Sequence, residues 1–176
     1  MLAVLAVGGS VNAARLRAAS PQRRSTSARA FLIAIGTILA LTALFAGLGA
    51  PFLDLVDVSE PGARIAAGFG LLAVGLRDLL APPPSPAPSL PGPWAGLIPM
   101  AFPVGFTPAT AAIAMAAGAD LGVIVTLGAT APALAVVLAI GLAPIPAGWL
   151  ASLRHLTALF AVVVAALIAV DGVRSI

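Results

Sequence analysis

The sequence predicts an all-α fold: a polytopic membrane helix bundle of about six apolar segments, arranged as a 3+3 inverted repeat with two interrupted helices. Three observations lead there. The 176-residue chain is 61% hydrophobic and only 9% charged, with a mean hydropathy of +1.13, more apolar surface than a soluble domain needs. Its apolar residues fall into runs of membrane-helix length, parted by proline and arginine. Two of those runs are broken at matching places in the two halves, at Gly8-Gly9-Ser10-Val11-Asn12 and at Phe102-Pro103-Val104-Gly105-Phe106-Thr107-Pro108. Paired interruptions of this kind mark the binding site of repeat-built membrane proteins.

The segments lie at about 2–14, 31–50, 63–80, 94–117, 121–142 and 156–170. The first ends at Arg15, short of the ~20 residues a span needs. Met1 to Val7 carries no positive charge ahead of the apolar stretch, so it does not read as a signal peptide. The expectation is a natural start upstream of Met1; the alternative is a half-helix. The second segment should stop at Pro51, and Pro61 and Pro82-Pro83-Pro84 should mark further boundaries, because proline cannot continue a helix. The third and sixth segments are near the short limit for a span, a mismatch that local thinning or flanking residues absorb.

The proline- and serine-dominated stretch 81–93 reads as an extended connector. It divides a single membrane domain into a first repeat of about 1–80 and a second of about 94–176. An odd number of spans per half inserts the halves in opposite directions.

Arginine placement sets an orientation. Arg15, Arg17, Arg23, Arg24, Arg29, Arg77 and Arg154 fall on one side of a six-span arrangement. Arg64 and Arg174 fall on the other, with Asp54, Asp57, Glu60 and Asp120. Excess arginine marks the cytoplasmic side, so the loop 15–29 and the proline-rich connector should be cytoplasmic and both termini outside. All nine basic residues are arginine, and the Ala/Gly/Pro-rich composition fits GC-rich bacterial coding. The arginines flank apolar segments, so a sequence pI of about 11.5 speaks for membrane orientation and not for nucleic acid. The absence of cysteine excludes disulfides and thiolate metal sites. No metal or other cofactor is expected.

The second break carries most of the chemistry. Pro103 and Pro108 remove two backbone donors and free nearby carbonyls. Gly105 permits a sharp turn or a close helix approach. Thr107 and Thr110 place hydroxyls where backbone groups are freed. A half-helix starting near Pro108 would aim its positive end at this spot and favour an anionic solute. The plain structural alternative is a kinked helix whose threonines bond to their own turn. In the first break, Ser10 and Asn12 would face the same site; alternatively Gly8-Gly9 packs closely and Asn12 caps a helix end. Arg77 with Asp78, Arg154 with His155, and Asp171 with Arg174 sit at segment ends, and Arg64 could pair with Glu60 at i,i+4. His155 reads as interfacial. The many glycines, Ala66-Ala67-Gly68-Phe69-Gly70 among them, read as helix-packing surface, and Thr37, Thr42, Thr126 and Thr130 as bonded within their own helices. No nucleophile–base pair or carboxylate pair is visible within the spans, so an enzyme is not expected and no catalytic residue is assigned.

The stretch from Phe52-Leu53-Asp54-Leu55-Val56 through Arg64-Ile65-Ala66-Ala67-Gly68-Phe69-Gly70-Leu71-Leu72 resembles the second-to-third-segment region of MarC family membrane proteins. Ile98-Pro99-Met100-Ala101-Phe102-Pro103-Val104-Gly105-Phe106-Thr107-Pro108-Ala109 is similar to that family's fourth segment, a proline-rich stretch followed by Gly-Pro-Gly. The likeness runs in segment order over nearly the whole chain. It implies a six-span bacterial inner-membrane protein in the wider group of LysE-like small exporters, with a small solute as cargo. Two departures stand out. The family's Asn-Pro-x-Gly motif is replaced by Gly9-Ser10-Val11-Asn12, and its Gly-Pro-Gly site reads Thr107-Pro108-Ala109. Bulkier residues narrow a backbone-lined site, so the likeness implies a divergent member with a changed substrate or one that has lost transport. The competing reading is a non-transporting accessory subunit that assembles with itself or with a larger membrane complex.

Overall fold

The computed structural model describes residues 24–80, 92–143 and 146–176. All regular structure among them is helical. In chain order it comprises α1 (Arg24–Leu55), α2 (Glu60–Leu80), a 3-10 turn (Gly92–Gly96) leading into a wide π-type stretch (Leu97–Gly105), α3 (Pro108–Leu121), α4 (Val123–Leu142) and α5 (Ala147–Arg174). Three helical stretches, Ala28–Leu55, Val123–Leu142 and Ala151–Arg174, are long and apolar enough to cross a membrane. The pair Gly92–Gly105 and Pro108–Leu121, bent by 74°, makes a fourth if it counts as one span.

Helices stand at the second to sixth expected segments, but α2, at the third, is not among the stretches long and apolar enough to cross a membrane, and the first segment, with Ser10 and Asn12, lies outside the described residues. The helix limits differ from expectation in α1, which starts at Arg24 and passes Pro51, and in α5, which spans Ala147–Arg174 against the expected 156–170 and is not short. α1 runs through Pro51 to Leu55; the single backbone bond lost there lies in the helix's last turns, where little helix remains to be disrupted. Pro61 does mark a boundary, as expected: it is the second residue of α2, where a first-turn N–H would have no intrahelical partner anyway. The fourth segment is not one continuous helix but the bent pair.

Close backbone approaches fix the helix directions. A Cβ on Gly75 would lie 3.2 Å from the Ala158 carbonyl, one on Gly68 3.0 Å from that of Ala165, and one on Gly172 3.0 Å from that of Pro61. As α2 numbers rise, α5 numbers fall, so the two helices are antiparallel and in near-contact along their lengths. α4 is antiparallel to α1: Gly47 faces Val123 and Gly141 faces Phe31. The stretch 92–105 runs parallel to α1, with Gly96 against Ala30 and Gly105 against Ile38. Small residues make these approaches possible, as expected where apolar surroundings remove the hydrophobic drive and packing must hold helices together.

α3 occupies the middle. Ala109, Thr110, Ala111, Ile113, Ala114, Ala116, Ala117 and Gly118 are all buried, and it packs on α1, α2 and α4. A helix apolar on every face is one covered on every face. One core cluster joins Phe31, Ala34 and Ile38 of α1 to Met100, Phe106, Ala111, Leu134 and Val137. The other joins Ala67 and Leu71 of α2 to Ile113, Ala116, Val164 and Ile168. α3 contributes to both, so it links the α1–α4 pair to the α2–α5 pair.

Candidate functional site

The break before α3 is built by its own sequence. Ile98 and Phe102 have extended backbone (φ −130, ψ 122 and φ −132, ψ 130) inside the helical stretch. Each precedes a proline, and proline pushes the residue before it out of the helical region; both peptide bonds, Ile98–Pro99 and Phe102–Pro103, are cis. Phe106 then turns extended, its N–H donating to the Ala101 carbonyl at 2.7 Å. Thr107, also extended and also before a proline, becomes the N-cap of α3, with Pro108 in the first turn.

Gly105 is required by space. A Cβ there would come within 2.5 Å of Ile38 Cδ1 and 2.9 Å of the Met100 carbonyl oxygen. The Phe106 ring packs on Phe45 with centroids 5.4 Å apart. Gly105, Thr107 and Thr110 are buried, whereas Phe102, Pro103 and Pro108 are exposed. The turn thus has an inner side of glycine and threonine and an outer side of proline and phenylalanine.

The two threonines hold one another. Thr107 Oγ1 accepts from the Thr110 backbone N–H at 3.2 Å, the Thr107 N–H donates to Thr110 Oγ1 at 3.4 Å, and the two hydroxyls lie 3.0 Å apart. The Ala111 N–H donates to the Thr107 carbonyl at 3.0 Å. This reciprocal cap answers donors that a helix start otherwise offers to an anion. The expected half-helix is present and points its positive end into the turn, with much of that end's hydrogen-bonding capacity used by the chain itself. Thr42, Thr126 and Thr130 bond to carbonyls four residues back, at 2.7 to 2.9 Å, as the sequence suggests.

The polar links between helices escaped the sequence reading. Arg64 of α2 donates to Asp120 at the end of α3 (2.5 Å) and to Asp171 of α5 (3.4 Å), and not to Glu60. Arg154 of α5 donates from Nε and a terminal nitrogen to the Asp78 carbonyl of α2 at 3.1 and 2.9 Å. Asp78 itself is buried, at 5% exposure. Segment counting puts Arg64 and Asp120 on one side and Arg77 and Arg154 on the other. What it lacks is the helix register that selects partners. His155 is exposed near the Arg154 end, with Nδ1 2.8 Å from the Ala151 carbonyl.

No family model matches the chain, and neither the curated proteins nor the solved structures include a significant match.

Proposed function

We propose that the chain is a MarC-like, multi-pass bacterial inner-membrane protein that moves a small solute past the broken fourth segment. The observation that carries this reading is the 74° bend between Gly92–Gly105 and Pro108–Leu121, placed against the core and lined inside by Gly105, Thr107 and Thr110. Irregular backbone at membrane depth is tolerated only inside protein or along a wet cavity, and broken helices are where transporters bind cargo. The positive end of α3 in this turn favours an anionic solute. Ser10 and Asn12 would complete the site from the first segment, under the same six-segment inverted repeat. The family likeness belongs to this proposal and rests on the short motifs at 52–72 and 98–109.

One observation favours a second reading, a non-transporting subunit of a membrane complex or a homo-oligomer. The threonine hydroxyls bond to each other, and Met100, Ala101 and Phe106 of the same turn are buried in the core. A packed turn needs no cargo.

The chain has no cysteine, so single cysteines report cleanly. Cysteines would replace Ser10, Asn12, Pro103, Thr107 and Thr110 in turn, and intact cells and inverted vesicles would be treated with a membrane-impermeant thiol reagent. Ser59→Cys and Ser85→Cys serve as loop controls on the two sides. Transport predicts reaction at several of the test positions from one side, with protection by the transported solute class. Reaction at the controls alone would overturn transport and leave the subunit reading.

A further inference from the structure

The helix directions sort nearly all charge to two ends of the bundle. Gly96 against Ala30 and Gly141 against Phe31 bring the start of the 92–105 stretch and the end of α4 to the Arg29 end of α1. The bond from Arg154 to the Asp78 carbonyl gathers Arg77, Arg154 and His155. The opposite end holds Arg64 with Asp120 and Asp171, and Asp54, Asp57 and Glu60 lie in and beside the short α1–α2 connection. That connection and the α3–α4 junction at Gly122 place the two helix pairs with like ends together.

The first end is cationic with almost no counter-charge. Arg29, Arg77 and His155 are exposed there, and Arg154 is half-buried. The sequence adds Arg15, Arg17 and Arg23 ahead of α1, and Arg24 is its first residue. Of the chain's six carboxylates only Asp78 belongs to this end, and it is buried. Both tryptophans of the chain are at the same end, Trp94 61% exposed and Trp149 72% exposed. Exposed tryptophan settles at the headgroup level of a bilayer, and guanidinium forks match phosphate oxygens.

We infer that the arginine-rich end is a binding surface for anionic phospholipid headgroups. Arg29 and Arg77 contact phosphate, and Trp94 and Trp149 fix the depth at which they meet it. The inference rests on the membrane reading and is independent of transport. An arginine bias orients a chain during insertion; a lipid seat is a separate property, an equilibrium preference for one headgroup over another that persists in the folded protein.

The test uses the full chain in mild detergent. Phosphatidylglycerol and phosphatidylcholine are added in parallel, and retained lipid is counted by native mass spectrometry alongside thermal unfolding. The expected result is selective retention of phosphatidylglycerol, a rise in melting temperature with that lipid only, and weakening of both by salt. Arg29→Gln and Arg77→Gln should each lower the preference by about five-fold, while Arg174→Gln, at the other end, leaves it unchanged. Equal retention of the two lipids overturns the inference, as does an equal loss with Arg174→Gln. Displacement by inorganic phosphate would make this an ion site and overturn the lipid assignment. If the arginine variants do not fold, the lipid preference of the unaltered chain and its salt dependence decide the matter.

Discussion

Gly118 of α3 lies against the Ala46 carbonyl of α1 so closely that no Cβ could be accommodated. Gly49 of α1 meets Met115 of α3 in the same way. Two glycines, one from each helix, therefore let α3 cross α1 at backbone contact. Gly118→Ala should force the helices apart and destabilise the protein by at least the ~1–3 kcal/mol typical of overpacking. Gly128→Ala in α4, where nothing lies within 4 Å, should be neutral or stabilising by up to ~1 kcal/mol from helix propensity. Thermal unfolding in detergent checks the pair; equal melting temperatures would mean that α3 is not locked at this crossing.

Arg64 joins three helices through Asp120 and Asp171. Its side chain is 20% exposed and that of Asp120 29%, so solvent screens the pair only in part. Arg64→Ala should cost about 1 kcal/mol, the upper range for an exposed pair raised by its network. Asp120→Asn should cost more than Asp171→Asn, because Asp171 is 52% exposed and its oxygen lies 3.4 Å away. The difference should shrink in high salt. Melting curves of the three variants at two salt concentrations test the order, and a larger loss at Asp171 would reverse it.

The Thr107–Thr110 cap gives a third test. Thr107→Ala removes the oxygen that accepts from the Thr110 N–H and should cost about 1 kcal/mol, the usual value of an N-cap. Thr107→Ser keeps that oxygen and should retain most of the stability. If the site also takes a solute, Thr107→Ser should keep uptake or export while Thr107→Ala lowers it beyond its stability effect. A matched loss of stability and activity in both variants would reduce the threonines to a cap.

Much of this arrangement was legible in the residues. The break at 102–108 follows from proline spacing, since each extended residue stands directly before a proline. The start of α3 at Pro108 and the self-bonded threonines of α1 and α4 follow from local chemistry. What was not legible depends on distance along the chain. Glu60 is four residues from Arg64 and looked like its partner, yet the α2–α5 register and the end of α3 offer Asp171 and Asp120 instead. Asp78 lies at a helix end, as expected, in the last turn of α2, but its burial depends on α5, whose Arg154 reaches its carbonyl. Proline at position 51 looked like a stop, but one missing bond so near a helix end does not halt it.

Gly105 allows the sharpest test of how tightly the turn is packed. Its missing Cβ would strike Ile38 Cδ1 at 2.5 Å and the Met100 carbonyl oxygen at 2.9 Å. Gly105→Ala should therefore destabilise by about 1–3 kcal/mol. Ile38→Val deletes that one methyl and alone should cost about 0.5–1.5 kcal/mol, since Ile38 is fully buried. In the double variant the new methyl fills part of the space the old one left, so the losses should add to less than their sum, with a coupling of at least about 0.5 kcal/mol. Relief should be incomplete, because the Met100 carbonyl is backbone and cannot be trimmed. Strict additivity would mean that Gly105 and Ile38 do not meet, and that the inner side of the turn has room. That outcome would also bear on function, since a roomy turn can admit a solute without moving α1, whereas a coupled pair requires α1 and the 92–105 stretch to separate first.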